Sequence, residues 1–90
     1  MFNNSRLGPK MPQSILRIRN VLTVNGRSRS SHYQDIQQGL FTPPVKIGAR
    51  ASGWPSSEVA AINAARIAGA TNEEIRALVA KLVAARQSAS

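Results

Sequence analysis

The spacing of apolar residues predicts two short helices in the first half of the chain, separated by a tight turn. Asn25-Gly26 supplies the turn, because both residue types tolerate positive φ, and the first helix is expected over about residues 17–24. Ser28 is a suitable N-cap for the second helix, which we expect to continue to about Gln38. Two short helices joined in this way are typical of a helix-turn-helix. The apolar residues expected on their inner faces are Ile15, Ile18, Val21, Leu22, Tyr33 and Ile36.

The pattern changes over residues 42–54, which predict a short β-hairpin. Pro43 and Pro44 exclude a helix there, because each removes a backbone donor and restricts the residue before it. Val45 and Ile47 alternate with Lys46, so the two apolar side chains are expected on the core side and the lysine in solvent. Trp54 is expected to fill the space where the hairpin meets the helices. The hairpin would then be a wing attached to the helix-turn-helix.

A third helix is expected to begin near Pro55 and to end at Gly69. A serine, Ser56 or Ser57, is expected to cap it, and Glu58 in the first turn suits the positive end of the helix dipole. Helical spacing assigns its inner face to Val59, Ile62, Ala65 and the stem of Arg66.

Thr71 and Glu74 form a capping box that opens a fourth, amphipathic helix. Its apolar stripe has two possible uses. The stripe can pack back on the domain, or it can form an interface with a second copy or another protein. Its residues are Ile75, Leu78, Val79, Leu82 and Val83.

The net charge and its distribution along the chain indicate the kind of partner. Twelve Lys plus Arg against four Asp plus Glu give a net charge of +8. Residues 1–57 carry eight basic residues and one acidic residue, whereas residues 58–90 carry four basic and three acidic residues. Such a lopsided distribution favours a polyanion, because each neutralised phosphate releases condensed counterions. A nucleic acid is therefore expected, and the helix-turn-helix pattern makes double-stranded DNA the expected partner.

These elements predict a mainly α fold, a winged helix-turn-helix with a short β-hairpin wing and an additional C-terminal amphipathic helix. We expect a disordered basic arm over residues 1–13, the winged domain over 14–69 and the C-terminal helix over 70–87. The chain has no cysteine, no apolar run long enough to span a membrane and no secretory signal. A location in the cytoplasm of a bacterial cell, associated with the nucleoid, is expected.

Catalysis has little support in the sequence. His32 is the only histidine, and Asp35 lies three residues further along, but no nucleophile or second acid accompanies this pair. The potential metal ligands are too few, and no phosphate-binding glycine pattern occurs. We expect neither an enzyme nor a cofactor, a metal site or a small-molecule substrate.

Several short motifs, taken in order, resemble the AlpA family of prophage regulators over residues 15–66. The resemblance implies a winged helix-turn-helix encoded by a phage or an integrated element, which regulates integrase genes or acts as an excisionase. The chain departs from the family pattern at His32 and at Gln34-Asp35, and its C-terminal helix lies outside the usual match. The motifs are Gly26 to Tyr33, Gly39-Leu40-Phe41, Pro44 to Gly48, Arg50-Ala51, Gly53-Trp54 and Ser57-Glu58-Val59.

The second helix should contain the base-reading side chains. Arginine can bond O6 and N7 of guanine, glutamine can bond adenine, and serine can bond either base or a phosphate. Tyr33 is expected in the core, from which its hydroxyl could reach a phosphate. Lys46 and Arg50 on the wing are expected at the DNA backbone or minor groove, and Arg17 and Arg19 at the backbone. The candidates on the recognition helix are Arg27, Ser28, Arg29, Ser30, Ser31, His32 and Gln34.

Three functions remain open at this point. The first is a sequence-specific transcriptional regulator that binds DNA as a homodimer or a cooperative multimer, because one small domain buries too little surface for gene-level specificity. The second is an excisionase that binds and bends attachment-site DNA. The third is a basic interaction protein that docks on a host protein through helix 71–87.

Overall fold

The computed structural model describes residues 14–88, with side chains through residue 86. The predicted arm over residues 1–13 lies outside the described residues. The described part is a winged helix-turn-helix, as predicted: four helices surround a small antiparallel sheet. Its elements are β1 (Ile15–Leu16), α1 (Ile18–Asn25), α2 (Arg29–Gln37), β2 (Val45–Gly48), β3 (Ala51–Pro55), α3 (Ser56–Ile67) and α4 (Asn72–Ser88).

Local signals place the turn between α1 and α2 where the sequence predicts it. Gly26 follows α1 with φ of 69°, and its N–H donates to the Leu22 carbonyl at 2.9 Å. The glycine therefore occupies the left-handed conformation that ends many helices. Ser28 is the N-cap of α2, and its Oγ accepts from the Ser31 N–H at 3.2 Å. Both predictions are confirmed.

The sheet has one strand more than the predicted hairpin. β3 lies in the centre, antiparallel to β2 on one side and to β1 on the other. Ile15 was expected on a helix but belongs to β1, which has two residues and is too short to show alternation. A Cβ at Gly53 would lie 2.5 Å from Ile15 Cγ2 and 2.8 Å from the Leu16 carbonyl oxygen. The missing side chain at Gly53 thus allows β1 to pair with β3.

The wing deviates from its predicted alternation at one position. Val45 is partly buried and Lys46 is exposed, as expected, but Ile47 is 44% exposed rather than on the core side. The pairing of β2 with β3 shifts register between Lys46 and Gly48, so strict alternation does not extend through Ile47. The prediction for Ile47 is wrong because of this irregularity.

Trp54 occupies the centre of the core, as predicted. It is 1% exposed, and its Nε1 donates to the Thr42 carbonyl at 2.8 Å, which satisfies its polar atom. The buried apolar side chains come from α1, α3 and α4, from β3, and from the segment that follows α2. They are Val21, Leu40, Phe41, Trp54, Val59, Ile62, Ile75 and Val79.

α3 begins without the predicted serine cap. Its N-cap is Pro55, and Ser56 is already the first helical residue. Proline suits this place because it presets φ and needs no donor partner. The predicted inner face is confirmed, with Val59 and Ile62 at most 1% exposed.

α4 starts with the predicted capping box. The Thr71 N–H donates to Glu74 Oε1 at 2.8 Å, and the Glu74 N–H donates to Thr71 Oγ1 at 3.2 Å. Its stripe packs back on the domain, the first of the two predicted uses. Ile75 and Val79 are buried, and Leu78, Leu82 and Val83 pack against the core. No described helix is both long and apolar enough to cross a membrane.

Candidate nucleic-acid interface

The outward side of α2 presents polar side chains to solvent. Arg29, Ser30 and Gln34 are exposed, as their predicted role requires, and Gln37 is exposed as well. Ser28 and Ser31 bond each other instead, with 3.0 Å between their Oγ atoms. The two hydroxyls therefore help to build the helix start, which is the use that N-cap serines usually have.

His32 does not lie on this outward side. It is fully buried, and its ring lies 4.7 Å from the Phe41 ring and 5.0 Å from the Trp54 ring, both edge to face. The prediction that His32 faces DNA is wrong. Neither ring nitrogen has a hydrogen-bond partner among the described residues. Burial lowers the pKa of His32 below its usual value, Arg27 and Arg66 lower it further, and Asp35 opposes them.

Tyr33 takes the opposite position to the predicted one. It was expected in the core, but it is 42% exposed on the outward side of α2. The helix is rotated so that His32, Asp35 and Ile36 face inward, a spacing of i, i+3 and i+4. That spacing was visible in the sequence, but a histidine and an aspartate gave no apolar signal. Tyr33, whose hydroxyl was expected to reach at most a phosphate from the core, is thus a functional candidate on the exposed surface.

Asp35 joins three parts of the domain. Its Oδ1 lies 2.9 Å from Arg27 Nη2 in the turn, and its Oδ2 lies 3.6 Å from Arg66 Nη2 in α3. Arg66 Nη2 also donates to the Leu40 carbonyl at 3.2 Å. The Asp35 side chain is 8% exposed, so two cations compensate its lost hydration. Arg27, predicted to contact DNA, therefore has a structural partner.

Two further arginines bind within the domain. Arg76 Nε donates to the Gln38 carbonyl at 2.8 Å, at the end of α2. Arg86 bonds both carboxylate oxygens of Glu58, at 2.8 and 2.6 Å, and the Pro43 carbonyl at 2.8 Å. These contacts fix α4 to α2, to α3 and to the segment before the wing.

The remaining cations form no ion pair with another described residue, and they are unevenly placed. Arg19 lies on α1, Arg29 on α2, and Arg17 is the N-cap of α1 rather than a helical residue. Lys46 is on β2, and Arg50 is in the turn between the wing strands. All of these residues are exposed. The sixth such residue is Lys81 on α4. Unpaired positive charge is therefore concentrated on the helix-turn-helix and the wing.

The described residues contain no group of three side chains that could hold a metal ion. Two grooves on the described part of the surface are open to solvent. The arrangement thus offers a charged, hydrogen-bonding surface rather than an enclosed pocket.

Comparisons with known proteins find relatives of the domain described above. The family model described as "Prophage CP4-57 regulatory protein (AlpA)" matches residues 14–66, more than half of the chain. The uncharacterized protein ORF88 of Enterobacteria phage P4 is 42% identical over 57 residues, which are 63% of this chain and 65% of the phage protein. The match thus spans just under two thirds of that relative. No solved structure matched the chain. The chain belongs to the AlpA family of prophage regulatory proteins.

Proposed function

We propose that this protein is a sequence-specific DNA-binding transcriptional regulator of a phage or an integrated element. Helix α2 reads the major groove, and the wing contacts the DNA backbone or the minor groove. The observation that carries the proposal is the placement of unpaired cations. Arg29 lies on the outward side of α2, and Lys46 and Arg50 lie on the wing, whereas four other arginines are bound within the domain.

The outward side of α2 has the chemistry of base reading. The Arg29 guanidinium fits O6 and N7 of guanine, the Gln34 amide fits adenine, and Ser30 can bond either base or a phosphate. Tyr33 adds an exposed phenol. The acidic residue of the helix, Asp35, is buried and paired with two arginines, so it does not repel phosphates from this side.

Docking on a host protein through α4 would require the apolar stripe of this helix to be exposed. The apolar stripe that would form the contact packs against the core, and Ile75 and Val79 are buried there. An excisionase would use the same DNA-binding surface as a regulator. The two functions are distinguished by the DNA sequence that is bound.

The test is fluorescence anisotropy with duplexes tiled across the protein's own gene and its neighbours, at two salt concentrations and with random DNA as competitor. One tile should bind at least about a thousandfold more tightly than random DNA. On that tile, Arg29→Ala should cost about 1–3 kcal/mol and relax specificity at one base pair. Lys81→Ala is the matched control, because it removes the same charge from an exposed site on α4 and should change affinity little.

Equal loss of affinity in both variants would overturn the proposal, since net charge alone would then explain binding. Equal binding of every tile would overturn it as well. A preferred tile within an attachment site, strongly bent in a gel-shift assay, would identify an excisionase instead.

A further inference from the structure

A partly apolar surface with a single charged lining residue lies between α1 and α3. Ala60, Asn63 and Ile67 of α3 line one side of a shallow groove, and Val24 and Asn25 at the end of α1 line the other. Ile67 is 86% exposed and Val24 is 57% exposed. Among the described residues, Ile67 is the most exposed large hydrophobic side chain. We call this surface the α1–α3 groove.

The groove is unusual for a strongly basic chain because few of its lining residues are charged. Its one charged lining residue is Arg66. The guanidinium of Arg66 donates to the Leu40 carbonyl and pairs with Asp35, but Asp35 also pairs with Arg27, so its single carboxylate offsets only part of this positive charge. Two copies that carry +8 each repel one another wherever unpaired cations meet. None of the six unpaired cations of the described residues lines the α1–α3 groove, so fewer like charges oppose a second copy there.

Shape and position also suit a second copy. Positions 60, 63, 64 and 67 form one face of α3 at helical spacing, and alanines at 60 and 64 permit close approach of another helix. None of the lining residues belongs to α2 or to the wing. The proposed base-reading side chains and the wing therefore lie outside the lining of the groove.

We propose that the α1–α3 groove is the surface through which two copies of this chain associate, with Ile67 and Val24 buried at its centre. In a two-fold interface the same patch serves both copies. The inference rests in part on the proposed function, because a domain of this size needs a second copy to reach gene-level specificity. It also replaces the α4 stripe as the candidate for self-association.

The test is sedimentation equilibrium of the full chain without DNA. Protein concentrations should span about 1 μM to 1 mM, where weak associations dissociate, and moderate salt should screen the repulsion between copies. We expect a monomer–dimer equilibrium. Ile67→Glu should raise the dimer dissociation constant at least about tenfold, because it buries a charge against a second charge of the same sign. Ala80→Glu, an equal charge change at an exposed site on α4, should leave the constant unchanged.

Thermal melts of both variants check that each is folded, which is expected since both sites are exposed. A native chain that stays monomeric throughout, or a dimer that Ile67→Glu does not weaken, overturns the inference. So does a dimer that Ala80→Glu weakens equally. Because DNA is absent, the result is separate from the proposed function. A monomer with Arg29-dependent DNA binding overturns only this inference, and a dimer without DNA binding overturns only the proposed function.

Discussion

The His32 ring lies 5.0 Å from the Trp54 ring, edge to face, and this contact joins the proposed recognition helix to the wing. Phe41, whose ring is 4.7 Å from His32, completes the aromatic surroundings. The imidazole is fully buried, and neither of its nitrogens has a partner among the described residues. The relative position of α2 and the wing therefore depends on a neutral His32.

The first prediction is that mild acid destabilises the protein through His32. Burial lowers the pKa of His32 in the folded state, whereas the unfolded chain keeps the usual value near 6.5. The unfolded state thus binds the proton more readily. The stabilising contribution is present above about pH 6.5 and is lost as pH falls through the folded-state pKa. Urea unfolding at about pH 7.5 and about pH 5 should show a lower midpoint in acid.

His32→Phe is the informative variant for this prediction, because it keeps an aromatic ring and removes the titration. The chain contains one histidine, so no other imidazole obscures the result. The variant should have nearly the same urea midpoint at both pH values. An equal loss of stability in the native protein and the variant would show that other groups cause the acid effect.

The second prediction concerns the ion pair between Glu58 and Arg86. The Glu58 side chain is 6% exposed and the Arg86 side chain 24%, so removal of the arginine leaves a buried carboxylate without its partner. Arg86→Met should lower the free energy of unfolding by about 3 kcal/mol. Lys81→Met, at an exposed site on the same helix, should change it by less than about 0.5 kcal/mol. Denaturant unfolding measures both, and similar losses in the two variants would contradict a structural role for the pair.

The third prediction compares two glycines of the wing. Gly53→Ala places a Cβ 2.5 Å from Ile15 Cγ2, so β1 must shift, and we expect a loss of about 1–3 kcal/mol. Gly48→Ala meets only the Ala51 Cβ, at 3.9 Å, which is an ordinary contact. That variant should change stability by less than about 0.5 kcal/mol. If thermal melts show equal effects, the pairing of β1 with β3 does not depend on the missing side chain.

The fourth prediction separates wing contacts from base reading. Lys46→Ala and Arg50→Ala each remove one exposed, unpaired cation of the wing. Each should weaken binding to all duplexes alike and reduce the slope of log K against log salt by about 1. Anisotropy titrations at several salt concentrations give this slope. An unchanged slope in both variants would place the wing away from DNA.

Local sequence signals predicted most of the elements. Gly26 ends α1, Ser28 caps α2, and Thr71 with Glu74 opens α4, all where the sequence places them. These signals work because each depends on the backbone geometry of a few neighbouring residues. Trp54 was also predicted in the core, since a single large aromatic ring in a small domain is seldom left in solvent.

The candidate site was predicted only in part. Arg29, Ser30 and Gln34 are exposed on α2 as expected, but His32 and Tyr33 exchanged their predicted positions. Periodicity was a weak guide in this helix, which has few apolar residues. Arg27 was expected at DNA, but Asp35 binds it within the domain, because the rotation of α2 buries that carboxylate.

The sequence by itself determined the order of the elements, the turns and caps between them, the basic character of the first half and the membership of the family. Only the tertiary structure decided which face of α2 points outward, which arginines have no ion-pair partner within the domain, and that β1 pairs with β3. The reason is physical. The rotation of α2 depends on the space between Phe41 and Trp54, which His32 fills, and on the compensation of Asp35 by Arg66 from α3. These partners are distant in sequence and meet only when the chain is folded.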